Sequence, residues 1–232
     1  MHFARCVLAE WPLLRTRLLR SRLGLWLALL TLALLLVERY APAPDPLGTA
    51  LDAGALGAVL SVGYLAGSAA DRAALSLLLG HPTTPVALAC GRWLAATGGA
   101  ALVVLAICVH SAWTTGAVAA STGAAVAGLV TGGAISACTL ALAWSGGNLL
   151  TGCWFAVLAL LGHAVPESLI RVPHPDILHL LAATWLELVP GPGRYRGVAW
   201  GEVGTAAHAM VWVAIGLALA VWRATRLRRI AR

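Results

Sequence analysis

Long apolar stretches separated by short polar breaks set the pattern of this chain. The clearest apolar segments lie at roughly 18–37, 47–69, 88–111, 115–143, 146–165 and 203–222. Each approaches the ~20 residues that a helix needs to cross the hydrocarbon core of a bilayer. No charged residue occurs from Trp93 to Pro166. That run has room for three spans with short turns and is too short for four. Its breaks fall at His110–Gly116 and Ser145–Asn148, where turn-forming residues gather. The first segment is the shortest: Leu23 to Val37 needs help from Leu18 and Leu19, with Arg20 and Arg22 snorkelling to the headgroups. Asp52, the only acid inside a predicted span, is expected at the outer headgroup level, where a charge costs less than at mid-bilayer.

The pattern predicts an all-α polytopic membrane protein: a single transmembrane domain over 1–232 with six spans. Composition agrees. Of the 232 residues, 60% are hydrophobic and 11% charged, with a mean hydropathy of +0.85. A soluble domain carries about 25% charged residues, and this apolar excess is more than one water-soluble core can hold.

Charge adds orientation. All 16 basic residues are arginine. Arg5, Arg15, Arg17, Arg20 and Arg22 cluster at the amino end, and Arg223, Arg226, Arg228, Arg229 and Arg232 at the carboxyl end. Arginine next to apolar segments marks the cytoplasmic side, so both termini are expected there, which requires an even number of spans. Loop 70–87 is then cytoplasmic, and 38–47 and 166–202 are external. With net charge of +7 explained by orientation, no nucleic-acid partner is expected. The lack of lysine excludes a P-loop, whose Lys reaches the nucleotide phosphates, and a Schiff-base cofactor. Cys6, Cys90, Cys108, Cys138 and Cys153 form no CxxC and are expected as small buried hydrophobes. The first 22 residues carry five arginines, and the apolar stretch after them shows no small-residue cleavage site before Glu38 and Arg39, unlike a cleavable signal peptide.

Three segments outside the spans carry information. In 1–22, Phe3, Val7, Trp11, Leu14 and Leu18 share one helical face, with arginines over much of the remainder. This describes either an interfacial helix on the cytoplasmic leaflet, bent near Pro12, or an extension of the first span. In the cytoplasmic loop, Asp71 can cap a short helix that Gly80 and Pro82 stop, with Leu75, Leu78 and Leu79 apolar. Two turns have no core of their own to bury those leucines in, so the helix lies on the membrane or docks onto another protein. In 166–202, Ile177 to Val189 is apolar-periodic between Pro173, Pro175, Pro190 and Pro192. It is too short to span and suits a re-entrant or interfacial helix, with Trp185 and Trp200 at the outer headgroup belt.

Together these parts resemble the permease subunit of ABC exporters of the type 2 class: an amino-terminal interfacial helix, six spans, a coupling helix between the second and third, re-entrant helices between the fifth and sixth, and an arginine-rich tail. The local match is "DRAALSLLLGHPTTPVALACGRWL", Asp71 to Leu94, in which Leu77, Leu78, Leu79, Pro82, Thr83, Thr84 and Arg92 fill the family's places. Arg72-Ala73-Ala74-Leu75 stands where the family usually has Glu-x-Gly.

The resemblance implies a transport subunit in the bacterial inner membrane, without cofactor or catalytic residues, whose ATP hydrolysis belongs to a separate cytoplasmic ABC ATPase. It assigns ATPase coupling to Asp71, Arg72, Leu75, Leu78, Leu79, His81 and Pro82. It also implies a second permease copy or a homologous permease as partner, besides membrane lipids. The nearly uncharged spans suit an apolar or amphipathic substrate.

Three alternatives compete. A haem- or metal-handling protein would use the external histidines His110, His163, His174, His179 and His208; the haem-exporter permeases of cytochrome c maturation share the six-span plan. A rhomboid-like protease would need Ser145 and His208 together, yet the predicted topology puts them at opposite membrane faces. A structural subunit of a larger membrane complex is the third.

Overall fold

The structure, a computed structural model, describes residues 22–40, 45–67, 84–161 and 176–230, and no strand occurs among them. Helix α1 is Arg22–Tyr40, α2 is Pro46–Val62, α3 is Pro85–Thr115 and α4 is Val118–Leu161. Helix α5 is Ile177–Leu188, a 3-10 helix covers Pro192–Trp200, and α6 is Val203–Ile230. A π-helical turn, Gly63–Gly67, ends α2.

Local chemistry sets several boundaries. Asp45 precedes Pro46 and accepts a hydrogen bond from the Gly48 amide at 3.0 Å; Thr84 precedes Pro85 and accepts from the Ala87 amide at 3.2 Å. Both combine an N-cap side chain with a proline whose missing N–H costs nothing at the first helical position. Gly116, at φ 70°, closes α3 in the left-handed conformation.

Helix α4 is two limbs joined at one residue. Gly147 has φ 64° and ψ −148°, a conformation open in practice only to glycine. Thr151 steadies the turn by donating its hydroxyl to the Gly147 carbonyl at 2.6 Å. The limbs fold back on each other. Leu158 of the second shares a buried cluster with Ile135 of the first, around Ala55, Ala58 and Val59 of α2. In one straight helix those two residues would lie about 34 Å apart. The predicted break at Ser145–Asn148 is therefore present, reduced to a single glycine.

Five helices among the described residues are long and apolar enough to cross a membrane: Arg22–Tyr40, Pro46–Gly67, Pro85–Thr115, Val118–Leu158 and Val203–Arg228. Together with the fold-back, this places the long segments in alternating directions. The described part of the second limb, 148–161, rises only about 21 Å. Helix α2 is the central one and is buried along most of its length, whereas α1 and α6 face outward. Leu25, Leu29, Leu32 and Leu36 of α1, and Met210, Val211, Ile215 and Leu219 of α6, are exposed on the bundle surface. Left in water, each such side chain forgoes roughly 1.5–3 kcal/mol of burial. Lipid is the solvent that removes this cost, and the chain is an integral membrane protein.

Small residues let the helices approach closely. A Cβ built on Gly54 would stand 2.1 Å from the Gly128 carbonyl oxygen, and one on Gly128 2.6 Å from the Ala50 carbonyl oxygen. Gly54, Gly57, Gly128 and Gly132 line such contacts between α2, α3 and α4, whereas Gly63 and Gly133 have ordinary space. Gly216 of α6, against the Ala137 backbone, is a further close approach.

Two expectations need correction. Asp52 is 8% exposed, about 10 Å along α2 from its cap, so neighbouring helices rather than headgroups surround it. Among the described cysteines, only Cys108 is buried; Cys90 and Cys138 are half-buried and Cys153 is exposed on the outer face of the second limb of α4, where lipid accepts a small apolar thiol.

Candidate functional site

The two ends of the bundle differ in chemistry. One gathers the end of α1, the start of α2, the α3–α4 turn, the end of α5 and the 3-10 helix, and carries charges of both signs: Glu38, Arg39, Asp45, Glu187, Glu202, Arg194 and Arg196. The opposite end carries only arginine among its described charged residues: Arg22, Arg92, Arg223, Arg226 and Arg228.

At the arginine end, α2 and α3 are tied together where the chain leaves one and enters the other. Arg92, read from sequence as the basic residue opening the third span, is 4% exposed and donates from Nη1 to the Leu65 carbonyl. Leu65 lies in the π-helical turn, whose altered ladder leaves carbonyls open to an outside donor. A guanidinium taken out of water needs such partners. Next to it, Trp93 donates its indole N–H to the Gly133 carbonyl at 2.8 Å, fastening α3 to the first limb of α4. Arg223 of α6 donates to the Trp144 carbonyl at 3.3 Å, just before the Gly147 reversal. Arg226 packs its guanidinium 4.5 Å from the Trp222 ring centroid, a cation–π contact.

Asp71, Arg72, Leu75, Leu78, Leu79, His81 and Pro82, the residues assigned to ATPase coupling, lie outside the described residues, as do His163, His174 and the amino-terminal segment before Arg22. The flanks of the loop, Gly67 and Thr84, are described and stand at the arginine end.

At the mixed-charge end, the 3-10 helix is set into the bundle. Tyr195 is 0% exposed and packs with Leu51 of α2, Ala127 and Ala134 of α4 and Ala209 of α6. Its hydroxyl lies 3.3 Å from Nδ1 of His208, and Trp212 donates its indole N–H to Nε2 of the same imidazole at 3.2 Å. An indole can only donate, so Nε2 accepts, and Nδ1 carries the proton and donates it to the Tyr195 oxygen. Burial holds the Tyr195 phenol well above the usual tyrosine range.

Two ion pairs pin the same helix: Arg194 with Glu187 at the end of α5, and Arg196 with Asp45, the cap of α2. Half-exposed pairs of this kind contribute about 0–1 kcal/mol each. Their greater effect is registration, because Arg196 joins segments 151 positions apart.

The described histidines do not converge. His110 is exposed on α3, His208 is held by Tyr195 and Trp212, and His179 Nδ1 sits 2.6 Å from Asp176 at the start of α5. Asp176 is held below the usual carboxylate range, first by the His179 backbone amide and then by its side chain. Among the described residues no group of three His, Cys, Asp or Glu side chains could hold a metal ion. Ser145, bonded back to the Ala141 carbonyl, lies at the arginine end beside Trp144, whereas His208 is about 22 Å along α6 from Arg223. These two cannot act as nucleophile and base for one another.

Helix α5 occurs where periodicity predicted a helix, as Ile177–Leu188. The 3-10 helix was not foreseen. Pro190 and Pro192 signalled only the end of α5, and nothing local to Arg194-Tyr195-Arg196 announces a buried tyrosine. No family model matches the chain, and neither does any curated protein or solved structure.

Proposed function

We propose that this chain is the membrane-spanning permease subunit of an ATP-driven exporter of the type 2 ABC class. It has six spans, both termini in the cytoplasm, and an inner-membrane location. The second limb of α4 belongs to the fifth span, and α5 is a re-entrant or interfacial helix on the outer side. The excess of arginine at one end, where the described charges are all basic, supports this orientation, since arginine is retained on the cytoplasmic side.

The observation that carries the reading is the clamp at the root of loop 68–83. A lever on a cytoplasmic loop transmits force only if the spans on either side move with it. The Arg92–Leu65 contact joins the last turn of α2 to the second turn of α3 at that point. Force delivered to residues 71–82 by a nucleotide-driven partner then reaches the central helix and, through the Gly54–Gly128 contact, the first limb of α4. Closely packed interfaces of this kind shift between discrete arrangements, as alternating access requires. A second permease, identical or homologous, faces this one across the path, and an apolar or amphipathic substrate moves along it.

The test is copurification of the full chain from native membranes with an ABC ATPase. Paired Leu75→Asp and Leu79→Asp substitutions are expected to abolish the association while the permease still inserts and survives extraction. Undiminished association would count against the coupling assignment.

A further inference from the structure

A cavity of about 650 Å³ opens at the mixed-charge end, between the start of α2, the end of α3, the start of α4 and the 3-10 helix. Its size falls in the range of small-molecule sites, roughly 300–1,000 Å³. The wall is mostly apolar, built from Leu47, Ala120, Ala124 and Trp200, with the buried Ser111 and Ser121 among them. Among the described residues its only charged lining is Asp45 and Arg196, bonded to each other and each part-exposed.

We propose that this cavity binds a zwitterionic amphiphile with a single acyl chain: the chain lies against the apolar wall, and the head's anionic and cationic groups meet Arg196 and Asp45. The charge pattern selects the head. A purely anionic head would compete with Asp45 for the guanidinium and leave the carboxylate without its cation beside an apolar surface. A purely cationic head would strand Arg196 in the same way. An uncharged head leaves the pair intact and gains nothing from it. A head bearing both signs meets both residues at once, with charge-assisted hydrogen bonds that outlast partial desolvation. Asp45 stays anchored meanwhile, because one carboxylate oxygen is held by the Gly48 amide. The site stands whether or not an ATPase drives the chain.

The test uses the purified full chain in dodecyl maltoside micelles and fluorescence quenching by chain-brominated lysophosphatidylethanolamine. Lysophosphatidylglycerol and monoacylglycerol with the same brominated chain serve as comparisons. Trp200→Phe isolates the signal of the tryptophan in the cavity wall. The zwitterionic lipid is expected to quench Trp200 saturably, at least tenfold more tightly than either comparison. Asp45→Asn with Arg196→Gln should erase that preference, asparagine retaining the cap of α2. Ala120→Phe should remove the saturable component without lowering the melting temperature. Equal affinity for the three heads, tighter binding of the anionic one, or quenching that persists in Ala120→Phe would each overturn the proposal.

Discussion

Gly54 has no room for a methyl group, because the Gly128 carbonyl oxygen occupies the place of its Cβ. Gly54→Ala is therefore expected to destabilise the bundle by about 1–3 kcal/mol, as overpacking does. Gly152→Ala, at a position with nothing within 4 Å, should leave stability unchanged or slightly raised. Thermal unfolding of both variants in the same detergent checks the pair; equal melting temperatures would contradict the close approach. Tyr195→Phe removes the oxygen that accepts from His208 and should cost about 1 kcal/mol by the same measurement. None of this was legible from residue type alone. Glycine is frequent throughout the chain, and whether one of them faces a carbonyl depends on helices far apart in sequence. Arg92 shows the same limit: the sequence marks it only as a basic residue opening a span, and only the tertiary position of Leu65 makes it an internal clamp.

The elements were more legible than the contacts, because their ends are written in local chemistry. Asp45-Pro46, Thr84-Pro85 and Gly116 mark boundaries that need no partner, and α3 and the first limb of α4 fall close to the apolar segments that predicted them. The 3-10 helix was invisible because its stability comes from Tyr195 sitting among three other elements. Helix α5 carries a pH prediction. Its Asp176 is held below the ordinary carboxylate range by the His179 amide and side chain. A carboxyl depressed in the folded state stabilises it above the unfolded pKa, near 4, and that contribution is lost as pH falls through the lower folded value. Amide protection at His179 should therefore be steady above about pH 4 and fall in stronger acid. Asp176→Asn should lack that acid-dependent step. A wild-type protein with the same profile as the variant would contradict the assignment. The Arg92 clamp belongs to this scale too: Arg92→Met should leave ATP hydrolysis by the assembled complex intact and reduce transport severalfold. Parallel loss of both activities would mean that the clamp holds the fold rather than transmits force.

At the scale of the molecule, an end whose described charges have both signs and an end whose described charges are all arginine define an axis, and the exporter reading gives that axis a direction. In a cysteine-free background, Arg196→Cys should react with a membrane-impermeant maleimide from outside intact cells, and Arg226→Cys only after the membrane is opened. The reverse pattern would invert the topology. The central claim is that an external motor drives this bundle through residues 71–82. A photo-crosslinking amino acid at position 79, activated in native membranes and followed by mass spectrometry, tests it most directly. The account predicts a covalent adduct with a protein that carries a P-loop. Adducts confined to lipid, or to subunits without a nucleotide site, would contradict it.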